Sequence, residues 1–135
     1  MIHLDSSLLI DLLREMLRQR PGPAFDALEL LDDDEVLSVS VHVMCELRAG
    51  AEMARRPLQE HEELDRLFSG LIVAYPDARF APAYGRLLAA IERTGRSVAT
   101  MDLLIATAAI LDDAPLLTRN VKDFRRVPGL RVLEY

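Results

Sequence analysis

The chain has one cysteine, Cys45, no tryptophan, and only 5% aromatic residues. A single thiol cannot close an internal disulfide, so no cystine framework holds this fold and a reducing compartment suits it. Cys45 itself is expected to be a small buried hydrophobe. No apolar run approaches the roughly 20 residues of a membrane-spanning helix. The opening stretch MIHLDSSLLIDLLRE has no basic leader and meets an acid at Asp5, unlike a secretory signal, so a cytoplasmic protein with no membrane partner is expected. Repeats, low-complexity tracts and Ser/Gly linkers are also missing, which leaves one domain over residues 1–135. Basic residues are the minority: 16 Lys and Arg against 22 Asp and Glu give a net charge of −6. That balance excludes indiscriminate nucleic-acid binding over the whole surface and directs attention to local patches. Half the residues are hydrophobic and 28% are charged, enough to bury one core without metals or cross-links.

What is present alternates. MIHL reads as a short strand, and from Ser6 the apolar residues Leu8, Leu9, Leu12, Leu13, Met16 and Leu17 recur at helical spacing until RPGP stops them. AFDALELL is a second helix. VLSVSV (36–41) is a β-branched strand, followed by the helical HVMCELRAGAEMA and LQEHEELDRLF. LIVAY is a third strand, AYGRLLAAIERTG a helix closing on Gly95, and ATMDLLIATAAI (99–110) an amphipathic helix. APLLTRN and GLRVLEY supply a fourth and a fifth strand. Strands separated by helices imply an α/β fold, a parallel sheet of about five strands covered on both faces as a three-layer α/β/α sandwich.

In such sheets ligands bind beyond the carboxyl ends of the strands, where strand order reverses. Four acids fall at such places. Asp5 follows the first strand, Glu46 lies in the first turns after the second, Asp102 opens the helix before the fourth, and Asp123 follows the fourth. Each also has an ordinary reading: Asp5 and Asp123 as helix caps, Glu46 as a solvated helix residue, and Asp102 as a partner of the helix dipole worth roughly 0.3–1 kcal/mol. Together they point elsewhere. Four carboxylates at one sheet edge repel one another unless cations intervene, and the matching cation is a hard divalent metal held through oxygen.

The segments IHLDSSLLIDLL, ELRAG (46–50), DLLIATAAI (102–110) and LLTRNVKDFRRVPGLRVLEY resemble PIN-domain ribonucleases, specifically the VapC toxins of VapBC toxin–antitoxin pairs. The resemblance spans nearly the whole chain except residues 51 to 80. It implies a PIN-like fold and a ribonuclease using Mg²⁺ or Mn²⁺, with Asp5, Glu46, Asp102 and Asp123 as the acidic site and Asp5 and Asp102 the firmest metal ligands. Thr118 and Asn120 fall at polar positions that hold water or the fourth acid. The implied partners are an RNA substrate, a cognate antitoxin, and a second copy of the chain, giving a homodimer and a toxin–antitoxin hetero-oligomer. A non-catalytic PIN-fold interaction module and a phospho-acceptor receiver domain are the alternatives. A receiver needs an acidic pair after strand one and a lysine after strand five, and the sequence offers neither.

The chemistry suits the residues. Phosphodiester hydrolysis needs an activated water and a stabilised leaving oxygen, and carboxylate-held metal ions provide both without histidine or serine. Backbone phosphates also need cations. Arg119, Lys122, Arg125, Arg126 and Arg131 crowd residues 119–131 against one acid, Asp123, and the first four are the candidate RNA-binding residues, with Arg48 and Arg96 behind them. DDDE (32–35) lacks the spaced ligands of a calcium loop and reads as a solvated turn. HEELD (61–65) lacks a zincin's second histidine and reads as a wet helix face. The first helix, AFDALELL and LDRLF are the expected docking surface for an amphipathic partner helix.

Overall fold

The computed structural model describes all 135 residues, Met1–Tyr135. Strand β1 (Ile2–Leu4) leads into α1 (Ser6–Leu17) and α2 (Pro23–Glu29); β2 (Leu37–Ser40) into α3 (Val41–Glu52) and α4 (Pro57–Phe68); β3 (Ile72–Ala74) into α5 (Phe80–Arg93) and α6 (Thr100–Leu111); and β4 (Leu116–Thr118) through the short α7 (Val121–Phe124) into β5 (Val132–Glu134). The sheet order is β3-β2-β1-β4-β5 and every pairing is parallel, with His3 opposite both Ser38 and Leu116. The chain therefore steps outward from β1 to β3, crosses back, and continues on the other side of β1. The reversal falls between β1 and β4, and a crevice opens at the carboxyl ends of those strands.

Each element stops for a local reason. Strand β2 is shorter than VLSVSV because Ser40 turns the chain, its hydroxyl accepting a bond from Val43 N at 3.3 Å as the cap of α3. Strand β4 is shorter than APLLTRN because Asn120 already opens α7. Helix α2 begins at Gly22-Pro23 with no cap of its own, and Glu15 of α1 substitutes for one. Its carboxylate accepts from the backbone N–H of Gly22, Ala24 and Phe25 at 2.6, 3.0 and 3.0 Å. A side chain at Gly22 would meet Glu15 Cδ at 2.9 Å and would have to push the capping carboxylate aside.

The core joins Leu4 of β1, Leu8 and Leu9 of α1, Val39, Val43, Leu116 and Phe124. Helix α6 differs from its amphipathic reading. Leu103, Ile105, Ala106, Thr107, Ala108 and Ala109 are all buried while Leu104 is only partly so. The helix is closed in by α5, α7, α3 and β2, and its small residues let those elements approach. Helices α1 to α4 form one connected group and α5 to α7 another, and the groups meet where α3 touches α6. That contact carries Glu46 toward Asp102.

Three further expectations change. Cys45 is exposed rather than buried, because Val43 and Leu47 are the core face of α3 and Cys45 lies between them in sequence. HEELD is more than a wet face. His61 Nε2 lies 2.9 Å from Glu52 Oε1, and Arg48 reaches His61 Nδ1 at 3.1 Å and Asp65 Oδ1 at 2.5 Å, so these residues clasp α3 to α4. In LDRLF, Leu64 and Phe68 belong to the core, which removes them from any docking surface. Asp32, Asp33 and Asp34 form an exposed turn, as read from DDDE.

Candidate active site

Asp5 stands directly past β1, only 3% exposed, and its amide donates to Leu117 O of β4 at 3.1 Å. It occupies the cap position of α1, yet its side chain makes no capping bond. The carboxylate is engaged elsewhere: Oδ2 accepts from Thr118 Oγ1 at 2.7 Å and from Ser7 Oγ at 2.8 Å. Oδ1 has only a long 3.5 Å contact with Ser6 Oγ. Two hydroxyls thus fix the carboxyl group through one oxygen and leave the other available. Thr118, fully buried, accepts in turn from Asn120 N at 2.9 Å, so the Asn120 contribution comes from its backbone.

Asp102 lies in the first turn of α6, half-buried. Its carboxyl is pushed up to about 6, first by burial and then by the negative charges of Asp5, Glu46 and Asp123. The dipole of α6 would act in the opposite direction, so burial and the other acids dominate. Glu46 is raised as well, by burial foremost and also by Asp5, against a lowering hydrogen bond from Ser6. Its Oε1 is buried without a partner. A buried acceptor with nothing to accept costs about 1–3 kcal/mol, which a bound cation would recover. Asp123 is more open, with Arg126 Nη1 3.8 Å from its Oδ1. The other three sequence-predicted acids therefore act electrostatically on the fourth, Asp102, although no three of the four close into a ready-made ligand set.

The basic residues divide into two groups. Arg119 donates from Nη1 to both oxygens of Asp11, at 2.9 and 2.7 Å, and Tyr135 OH donates to the same carboxylate at 2.9 Å. Arg48 belongs to the α3–α4 clasp. Lys122, Arg125 and Arg126 instead face a hollow shared with Arg96. Sequence reasoning missed Ser7 and Asp11. Ser7 follows Asp5 by two residues and was legible only as a helix-start serine, and Asp11 lies about one turn further along α1. Their roles depend on the chain returning through β4 and β5.

The chain matches the PIN domain over residues 2–130. It is similar to Ribonuclease VapC2 of Rickettsia felis, 32% identical over 114 residues that cover 84% of this chain and 85% of that protein. It is similar also to Ribonuclease VapC19 of Mycobacterium tuberculosis, 31% identical over 128 residues that cover 95% of each. Among solved structures, VapBC2 from Rickettsia felis bound to a DNA fragment from their promoter holds a chain that superposes with a TM-score of 0.89 at 29% identity, covering 100% of this chain and 99% of that one.

Proposed function

This chain belongs to the PIN-domain family, among its VapC ribonucleases, and from that premise we propose that it is an endoribonuclease toxin neutralised by a VapB-type antitoxin. The observation that carries the reading is the group of four acids at the β1/β4 crevice, where Asp102 is raised to about 6 by burial and by the other three. Such a group suits hydrolysis of phosphodiester bonds and has no packing purpose.

The donor set fits a divalent cation, Mg²⁺ or Mn²⁺: oxygen ligands only, an orphaned Glu46 Oε1, and an Asp5 whose Oδ1 is left available. Bound there, the cation would supply an activated water and charge stabilisation at the leaving oxygen. Asp5 and Asp102 are the proposed direct ligands, Glu46 a ligand or the group that orients the attacking water, and Asp123 the outer ligand or base. Ser7 and Thr118 position Asp5, and Asn120 supports Thr118 through its amide. Lys122, Arg125 and Arg126 are proposed to hold substrate phosphates, while Arg119 is committed to Asp11 and serves chiefly to fix β4 to α1.

The antitoxin surface on this reading is the exposed apolar strip of α1 and α2, with Met16, Leu17, Phe25 and Leu30, the last 86% exposed. No helix is long and apolar enough to cross a membrane. A cytoplasmic location and a homodimer complete the proposal. Expression of the wild type, alone and with its antitoxin, followed by mapping of new RNA 5′ ends tests it. Growth arrest with discrete new ends, relieved by the antitoxin and absent for Asp102→Asn, is expected. A soluble, folded wild type that arrests nothing and cuts nothing would overturn it.

A further inference from the structure

Beside Asp123 lies a concavity of about 600 Å³ whose wall holds no hydrophobic residue: Gly95, Arg96 and Ser97 from the turn between α5 and α6, with Lys122, Arg125 and Arg126 from α7 and its exit. Four of the six are cations and none is an acid. Gly95 sits at φ +73°, where its lack of a side chain permits the tight exit from α5 that brings Arg96 and Ser97 round. Arg126 forms the wall shared with the acidic site. Its Nη1 donates to Ser97 O at 3.1 Å and stands 3.8 Å from Asp123 Oδ1. Arg125 reaches Glu134 only loosely, at 3.7 Å with both side chains exposed, and Arg96 and Lys122 form no ion pair. Like charges gathered round one hollow repel, and the two carboxylates nearby, Glu134 at 3.7 Å from Arg125 and Asp123 at 3.8 Å from Arg126, do not reach Arg96 or Lys122 to relieve them. An anion from outside does.

We infer that this pocket is a phosphate-anchoring subsite for single-stranded RNA, gripping a non-scissile backbone phosphate next to the bond presented to the acids. The inference rests on the ribonuclease reading above and adds Arg96 and Ser97 to it. A wall without a hydrophobic or aromatic residue offers no ring for a base to stack on, and stacking on Arg planes is sequence-tolerant, so the subsite holds the backbone and does not read base identity. Continuity through Arg126 sets the order of contacts: a strand leaving Asp123 enters the pocket directly.

Binding of a fluorescein-labelled single-stranded RNA of mixed sequence, measured by anisotropy in the non-cleaving Asp5→Asn protein, tests this. Each lost phosphate contact should make the slope of log K against log salt shallower by about 0.7, so the affinity lost by Arg96→Ala should be about 2.6-fold greater at about 50 mM salt than at about 200 mM, and about sevenfold greater for Arg96→Ala with Lys122→Ala. Arg18→Ala, an exposed arginine just past the far end of α1, should leave the slope unchanged. Unchanged melting temperatures would show that the exposed substitutions leave the fold intact. A double variant with the wild-type slope, an equal change in Arg18→Ala, or pocket-dependent binding that favours double-stranded DNA over RNA overturns the subsite. A wild type that cleaves RNA while the slope stays fixed refutes the subsite alone, whereas a wild type that cleaves no RNA refutes the ribonuclease reading.

Discussion

Asp102 ionises among three other acids, and removing it should make the metal-free protein more stable at neutral pH. Its carboxyl is shifted from an ordinary 3.8 to about 6 by burial first and then by Asp5, Glu46 and Asp123. Two units correspond at face value to about 3 kcal/mol. The group is only half-buried, and solvent screening reduces the expected term to about 1–1.5 kcal/mol. The folded value lies above the unfolded one, so the favourable contribution is complete below about pH 3.8 and is lost as pH rises through about 6. Thermal unfolding in a chelator at intervals from pH 4 to pH 7, for wild type and Asp102→Asn, isolates this term. Between those limits the variant should gain on the wild type by about 4–6 °C, taking about 4 °C per kcal/mol for a domain of this size. A difference that stays constant with pH, or a wild type that gains on the variant as pH rises, would refute the reasoning and leave Asp102 a helix-dipole residue.

Other outcomes follow from single contacts. Ser7→Ala leaves Asp5 Oδ2 with Thr118 alone and should reduce metal affinity or RNA cleavage about 10–100-fold, read by metal titration and kcat/KM; unchanged values would make Ser7 an ordinary helix-start serine. Glu15→Ala removes the acceptor for three amides at the start of α2 and should cost about 1.5–3 kcal/mol in urea unfolding, with the midpoint moving and the m-value constant. A cost under about 0.5 kcal/mol would mean that packing alone holds α2. Burial and its bond to Asp11 hold the Tyr135 phenol well above its usual range, so stability from this group is complete below about pH 10 and is lost as pH rises from there through the raised value. A difference titration of wild type against Tyr135→Phe should show no phenolate from Tyr135 near pH 10, and a step there would break the Asp11–Arg119–Tyr135 link.

Much of this was legible along the chain because the elements are simple and the acids follow strands. Asp5, Asp102 and Asp123 each sit at a strand-to-helix junction or in the first turn of a helix, and Glu46 lies further along the helix that follows β2, positions that a parallel sheet brings to one edge. Strand ends were read too long where a polar residue had already begun the next helix, as at Ser40 and Asn120. Local periodicity could not show that α6 is enclosed on nearly every side, since that depends on neighbours from distant segments. The same limit hid the ties that span more than 100 residues: Thr118 to Asp5, Arg119 and Tyr135 to Asp11, and buried His3 to Asp112 at 2.6 Å. The basic run at 119–131 was visible as composition, but only the fold separates Arg119, paired with Asp11, from Lys122, Arg125 and Arg126, which turn toward Arg96.

The central claim, that Asp5 serves a metal-dependent phosphodiesterase centre and does not cap α1, is tested most directly by melting wild type and Asp5→Asn with and without Mg²⁺ or Mn²⁺ and assaying RNA cleavage on the same samples. Asn caps a helix as well as Asp, and Asp5 makes no capping bond to lose. The metal-free variant should therefore be about as stable as the wild type or more so. Metal at a hundredfold excess over Kd should stabilise the wild type by about 2.7 kcal/mol, and Asp5→Asn should lose most of that gain together with cleavage. An undiminished metal shift in Asp5→Asn, with RNA still cut, would contradict the account.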